Sequence, residues 1–246
     1  MPQGTPVYAG PPPELGYDSG VKRAAGQLEL MDGPVDAGSE LERNLADIAF
    51  ANRWLGGIAP IRREVRRTGA CSILDIGSGS GDVPLALVRD GRRRGVDVRA
   101  TCLDRSAAML AIARRSTGGE ERLTFVCGDG ERLPFDDAAF DVVTCTLALH
   151  HFEPPAAREL LREMRRVARL TPIVGDLIRS RLAFAATWLY ARTTTSNRLT
   201  RHDAPLSVRR AYEPAEALAL AREAGWGSPR VQREPFFRMT LVDVAP

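Results

Sequence analysis

The stretch Ile73–Pro84, "ILDIGSGSGDVP", decides the fold. An apolar run with an acid near its end, Asp75, leads into three glycines at alternate positions, Gly77, Gly79 and Gly81. A short apolar run closed by glycines reads as a buried strand, and glycines at a strand-to-helix turn let the backbone come close to a ligand. A dinucleotide turn, G-x-G-x-x-G, would place its third glycine at 82, where Asp82 stands. A phosphate loop needs G-x-x-x-x-G-K-[ST], and no lysine follows here. Asp75 would repel an approaching pyrophosphate and would suit a ligand with a cationic amino group.

Outward from this turn, strands alternate with helices. "CSILDI" is followed by helix "VPLALVRDGRRRG", "VDVRATCLD" by helix "SAAMLAIARRS", then "RLTFVCGDG". "FDVVTCTLAL" follows, with helix "PAARELLREMRRVAR" after it and a short fifth strand, "TPIVGDL". This rhythm predicts a doubly wound α/β fold with a parallel sheet. After helix "EPAEALALAREAG" come "PRVQRE" and "FFRMTLVDV", close enough to pair antiparallel at the sheet edge.

Upstream, "SELERNLADIAFANRWLGGI" reads as a helix with Ser39 and Glu42 at capping-box spacing. "PIRREVRR" starts a second. The expected organisation is a flexible tail over 1–37, richest in Pro and Gly over the first 20 residues, and N-terminal helices over 38–70. The ligand-binding domain follows over 71–246. Residues 177–212 are too long for a plain connection and are expected to form a cap beside the site.

The 246 residues carry 44% hydrophobic and 26% charged residues and a net charge of +3, an ordinary globular composition. Lys22 is the only lysine, a bias that reads as a GC-rich bacterial genome. The arginine runs "RDGRRRG" and "REMRRVAR" read as solvated helix ends rather than a nucleic-acid stripe. Cys71, Cys102, Cys127 and Cys145 form no CxxC pair and read as buried core thiols, without disulfide or zinc. With no signal-peptide pattern and no apolar run long enough to span a bilayer, a cytoplasmic protein without stable membrane insertion is expected, as monomer or homodimer. The histidines, His150, His151 and His202, show no metal-ligand spacing with the cysteines, so no metal is expected.

In an open α/β sheet, ligands sit at the carboxyl ends of the strands. The second strand ends in Asp104, 29 residues after Asp75, where an acid can accept bonds from both ribose hydroxyls. Followed by Ser106, it could instead only start the next helix. The third ends "CGDGERLPF", placing Asp129 and Gly130 where a carboxylate and an N–H could read an adenine edge. Ribose, adenine and a cationic amino acid together describe S-adenosylmethionine.

"LDIGSGSGD", "LDRSAAML", "GDGERLPF" and "FDVVTCTLALHHF", in this order and spacing, resemble the class I S-adenosylmethionine-dependent methyltransferases, and most of all the ubiquinone/menaquinone-biosynthesis branch. The resemblance is strong over 71–176 and moderate in the C-terminal helix and strands. It implies a mostly parallel seven-stranded sheet with the last strand antiparallel. It implies that Gly77, Ser78, Gly79 and Gly81 cradle the methionine part, with Asp75 at its amino end. Asp104, with Arg105 beside it, would hold the ribose, and Asp129 with Gly130 the adenine. Thr146 and Leu147 would lie near the sulfonium.

The acceptor is less determined. The fourth strand ends in "TLALHH", unlike the Asn/Asp/Ser-Pro-Pro-aromatic motif of adenine or glutamine N-methylation, so a small molecule is favoured over nucleic acid. His150 and His151 read as candidate bases or as packed strand-end residues. Trp188, Arg201, His202 and Tyr212 are the candidate substrate contacts, on a cap that mixes aromatic bulk with arginines. That mixture suits an oxygenated phenolic, quinone-like or polyketide-like acceptor. A carboxylate or amine metabolite, and a binding scaffold without turnover, stay open.

Overall fold

A computed structural model describes residues 20–33 and 38–244; the expectations for 1–19 and 34–37 lie outside them. Seven strands form one sheet in the order β3-β2-β1-β4-β5-β7-β6. They are β1 (Ser72–Ile76), β2 (Arg99–Asp104), β3 (Leu123–Cys127), β4 (Phe140–Thr146), β5 (Ala168–Leu177), β6 (Pro229–Glu234) and β7 (Arg238–Asp243). β1 to β5 are parallel, and β7 runs antiparallel between β5 and β6, as the sequence predicted. β5 is longer than expected, because Ala168 and Arg169 leave the preceding helix and Ala168 pairs with Phe140 of β4. Phe236 and Phe237, at φ 59° and 57°, turn the chain from β6 into β7.

The helices are α1 (Ser39–Trp54), α2 (Ile58–Thr68), α3 (Asp82–Arg93), α4 (Ala107–Ser116), α5 (Pro154–Val167), α6 (Arg181–Thr194), α7 (Arg198–Arg210) and α8 (Pro214–Glu223). One sheet face packs on α5 and α8 through Leu160, Leu161, Met164, Leu220 and Trp226. The other packs on α2 and α3 through Ile61, Val65, Val83, Leu87 and Val88. The strands read as near-continuous apolar runs because both faces are covered. A third cluster, Leu41 and Leu45 of α1 with Ile112 of α4 and Leu199 of α7, ties the N-terminal helices over the carboxyl end of the sheet. Among the described residues, no helix is long and apolar enough to cross a membrane.

Three local expectations are corrected. Ser39 does not cap α1; Gly38 holds that position with no side-chain bond. Cys71 and Cys127 are exposed rather than core, because one precedes β1 and the other ends β3; Cys102 and Cys145 are buried, and all four are free. Residues 20–33, expected within a loose tail, are strapped across α7. The Ala24 N–H donates to the Arg209 carbonyl at 3.0 Å, and the N–H groups of Leu30 and Met31 donate to the Asp203 carboxylate at 2.8 and 3.0 Å. Arg23 lies 4.5 Å over the Tyr212 ring. This segment has no periodicity of its own; α7 supplies the partners that order it.

Candidate active site

The strand order reverses between β1 and β4, and the turn after β1 lies at that switch point. Gly77, Gly79 and Gly81 all take left-handed φ, at 67°, 52° and 73°. A Cβ at Gly77 would lie 2.8 Å from that of Ala148, so only glycine fits there. The N–H groups of Gly77 and Ser78 both donate to the Leu103 carbonyl, at 2.8 and 3.1 Å, which docks the turn on the end of β2.

Asp104 ends β2 and is nearly buried. Its Oδ2 accepts the Gly79 N–H at 3.0 Å and its Oδ1 the Ser106 N–H at 2.9 Å, leaving acceptor capacity on both oxygens. The Ser106 hydroxyl itself caps α4, accepting from Met109, so the helix start does not depend on Asp104 alone. Asp75 lies deeper than expected. It is buried, its Oδ1 accepts the Thr144 hydroxyl at 2.6 Å, and burial pushes its carboxyl up to about 7. Asp129 is exposed and orders its own turn by accepting the Glu131 N–H at 3.0 Å. Gly130 beside it is buried, and a Cβ there would crowd Ile76 and Leu160 at 3.0 Å. At the end of β4 the Thr146 hydroxyl is buried without a partner, and Leu147 takes a left-handed φ of 52°. An unpartnered polar atom, a glycine cradle and strand-end acids converge on one end of the sheet. These residues fit a donor that combines a cationic amino acid with a nucleoside.

His150 and His151, on a short 3-10 turn after β4, have distinct environments. His150 is buried. Its Nδ1 meets Asp176 Oδ1 at 2.7 Å, and its Nε2 is 3.5 Å from Glu29 Oε1. Burial works to lower its pKa, but the ionised Asp176 and Glu29 outweigh this and raise it to about 10. The two carboxylates thus favour the imidazolium form. His151 keeps 21% of its side chain exposed, with Nδ1 2.9 Å from Asp32 Oδ2 and Nε2 3.8 Å from Glu29 Oε2. It is near enough to Asp104 to act on that carboxylate through space. Arg105, largely exposed, comes within 3.8 Å of Asp32. Buried Arg210 braces the turn by donating to the His150 and His151 carbonyls at 3.2 and 2.6 Å.

Glu29, Asp32 and Asp176 were missed by sequence reading. Asp176 had a signal, since it stands one residue before the end of β5, much as Asp104 ends β2. Glu29 and Asp32 had none, because they lie far along the chain in a segment without a motif. With His150 and His151, Glu29 brings ligand-capable atoms within 4.8 Å of one another, a grouping that local spacing does not reveal.

The candidate substrate residues divide. Tyr212 is buried, its hydroxyl donating to the Phe152 carbonyl at 2.7 Å, so it packs rather than lines a pocket. Trp188, Arg201 and His202 line an open cavity of about 570 Å³ between α6 and α7, and no residue of the donor turns lines it. They do not join His151.

Residues 73–170 match the methyltransferase domain family. The demethylmenaquinone methyltransferase of Roseiflexus castenholzii is 33% identical over 168 residues, covering 62% of this chain and 66% of that protein. That of Clavibacter sepedonicus is 29% identical over 153 residues, covering 61% and 56%. The malonyl-[acyl-carrier protein] O-methyltransferase of Halorhodospira halophila is 37% identical over 124 residues, covering 50% and 37%. The chain thus spans between a third and two thirds of these relatives' lengths. In structure it is similar to human N-acetylserotonin methyltransferase in complex with SAM, with a TM-score of 0.61 at 15% identity over 83% of this chain and 56% of that one. That likeness concerns the fold. Strand order, glycine turn and matched domain agree, and together they support a class I S-adenosylmethionine-dependent methyltransferase.

Proposed function

We propose that the protein transfers a methyl group from S-adenosylmethionine to an oxygen or ring carbon of a small phenolic, quinone-like or polyketide-like acceptor, with His151 as the base. One observation carries the choice of base. His151 is the half-open histidine, oriented by Asp32 and close to the ribose-side acid Asp104, whereas His150 is buried between two carboxylates.

The donor supplies an activated methyl on a sulfonium, so the protein's work is alignment, exclusion of water and removal of a proton. The glycine turn takes the methionine part, Asp104 the ribose, and Asp129 with the Gly130 N–H the adenine. Asp75, below the turn, favours the donor's ammonium when ionised. Asp32 accepts the His151 Nδ1–H and leaves Nε2 as proton acceptor. As the acceptor's oxygen or carbon takes the methyl, its proton passes to Nε2. The imidazolium is held by Asp32 and by Glu29, which burial works to raise but which the two histidines and Ser207 keep ionised. His150 stays protonated throughout and anchors Glu29. In this reading the Glu29–His150–His151 group carries protons rather than a metal.

The relatives that methylate demethylmenaquinone support an electron-rich ring as acceptor. A second reading, O-methylation of a carboxylate, is favoured by the Halorhodospira relative; a carboxylate is already ionised and needs no base. Methyl-labelled donor, incubated with phenols, quinols and carboxylic acids and read by mass gain, tests both. Label on phenols or quinols is the expected result. Label on carboxylates alone would replace it with the second reading.

A further inference from the structure

We propose that the groove between α6 and α7 is a second binding site, for one molecule of an anionic amphiphile: an acidic headgroup on an aliphatic or aromatic body. This does not rest on the methyl-transfer reading. The groove lies on the other side of α7 from the histidines. Leu199, Asp203, Ser207 and Arg210 recur on the inner face of that helix, where they meet residues 27–31, Asn197 and the His150–His151 turn. Arg198, Arg201, His202, Pro205 and Arg209 recur on the outer face and line the groove.

The charge on that outer face is one-sided. Arg192, Arg198, Arg201 and Arg209 surround the cavity, and among the described residues no carboxylate lines it. Among the described residues, Arg198 alone of the four has an acidic partner, Glu40, at 3.3 Å. Arg192 lies 5.0 Å over the Trp188 ring, and Arg201 is turned onto the carbonyls of Thr195 and Arg192. Arg209, half-buried, has no side-chain partner among the described residues. Gathering guanidinium groups around one cavity is unfavourable until an anion joins them, and their planar forks match carboxylate or phosphate oxygens.

Beside the arginines, Phe184, Trp188, Pro205 and Leu206 give the lining an apolar part, and Gln27, Ser196 and His202 complete it. Leu182 and Leu189, also on α6, are 66% and 57% exposed. About 570 Å³ is the volume of a small-molecule site, enough for more than a bare headgroup. An inorganic anion would leave the apolar lining wet, and a neutral hydrocarbon would leave the arginines without counter-charge. An amphiphile with an acidic head satisfies both.

The test is calorimetry on the full chain without methyl donor, using dodecyl phosphate below its micelle concentration. Inorganic phosphate, dodecyl maltoside and phosphatidylglycerol vesicles are the comparison probes. Saturable one-to-one binding of dodecyl phosphate is expected, roughly tenfold or more tighter than either inorganic phosphate or the maltoside. Arg209→Gln, at a residue whose side chain has no partner among the described residues, should weaken it about 10- to 100-fold with an unchanged melting temperature. His151→Ala should leave it unaltered. Absence of saturable binding, affinity indifferent to Arg209→Gln, or binding to vesicles without binding to the monomeric amphiphile would each overturn the proposal.

Discussion

The donor side of the sheet and the strap over α7 are built on different ranges of the chain. The turn after β1 is held by a partner 25 residues away, Asp104 bonding the Gly79 N–H. The strap is held by partners on the far side of the sequence: Leu30 on Asp203 across 173 residues, Glu29 on Ser207 across 178, and Asp32 on His151 across 119. The first region is a strand–turn–helix unit whose glycines and acids are set by neighbouring stretches of chain. The second creates the surroundings of the histidines from a segment with no pattern of its own. One is legible in short stretches; the other exists only after folding.

Breaking each region in turn sharpens the contrast. The largest effect is expected on the acceptor side. His151→Ala should lower turnover about 10²–10⁴-fold with donor affinity nearly intact. Steady-state kinetics paired with donor calorimetry checks this, and full turnover on a phenol would remove His151 as base.

On the donor side the effect is on binding. Asp104→Ala should weaken donor affinity by about 1–3 kcal/mol, as ribose hydroxyls lose a charged acceptor. An unchanged dissociation constant would reduce Asp104 to an anchor for the glycine turn.

A smaller, graded effect is expected from pH, and each region contributes its own window. The His150 pKa is raised from 6.5 to about 10 in the fold, so its ion pairing with Asp176 is fully present below about 6.5 and is lost as pH rises through 10. The Asp75 carboxyl is raised from 3.8 to about 7, so the folded state holds a proton there that the unfolded chain has released. That contribution is lost as pH rises from about 4 through 7. Thermal melts should therefore fall from pH 6 to pH 10. Asp176→Asn should flatten the alkaline part of the fall, and Asp75→Asn the part below 7. An Asp176→Asn slope equal to that of the unaltered protein would show that His150 is not held as a cation.

The sheet was legible because its signals are local. Alternating strands and helices and the closing antiparallel pair all appear at their predicted places. The placement of Gly77 and Gly79 in the turn after β1, and of Asp104 at the end of β2, was legible for the same reason, since a strand end and its turn are contiguous. The side-chain depth of Asp75 was not, because a period-two pattern does not say that Thr144 of the neighbouring strand will take its carboxylate. The difference between His150 and His151 was invisible, because adjacent residues receive different partners from 26 residues ahead and 119 behind. Trp188, Arg201 and His202 were seen as ligand-facing residues, but helical periodicity alone does not tell the side of α7 that looks toward the donor from the side that looks away.

The most direct test of the account is calorimetric titration with S-adenosylmethionine and, separately, with NAD. The glycine spacing, Asp82 at the place of a third dinucleotide glycine, and the acids at the ends of β1 and β2 predict micromolar binding of S-adenosylmethionine, roughly 7–8 kcal/mol, and far weaker binding of NAD. Binding of NAD with no binding of S-adenosylmethionine would contradict it.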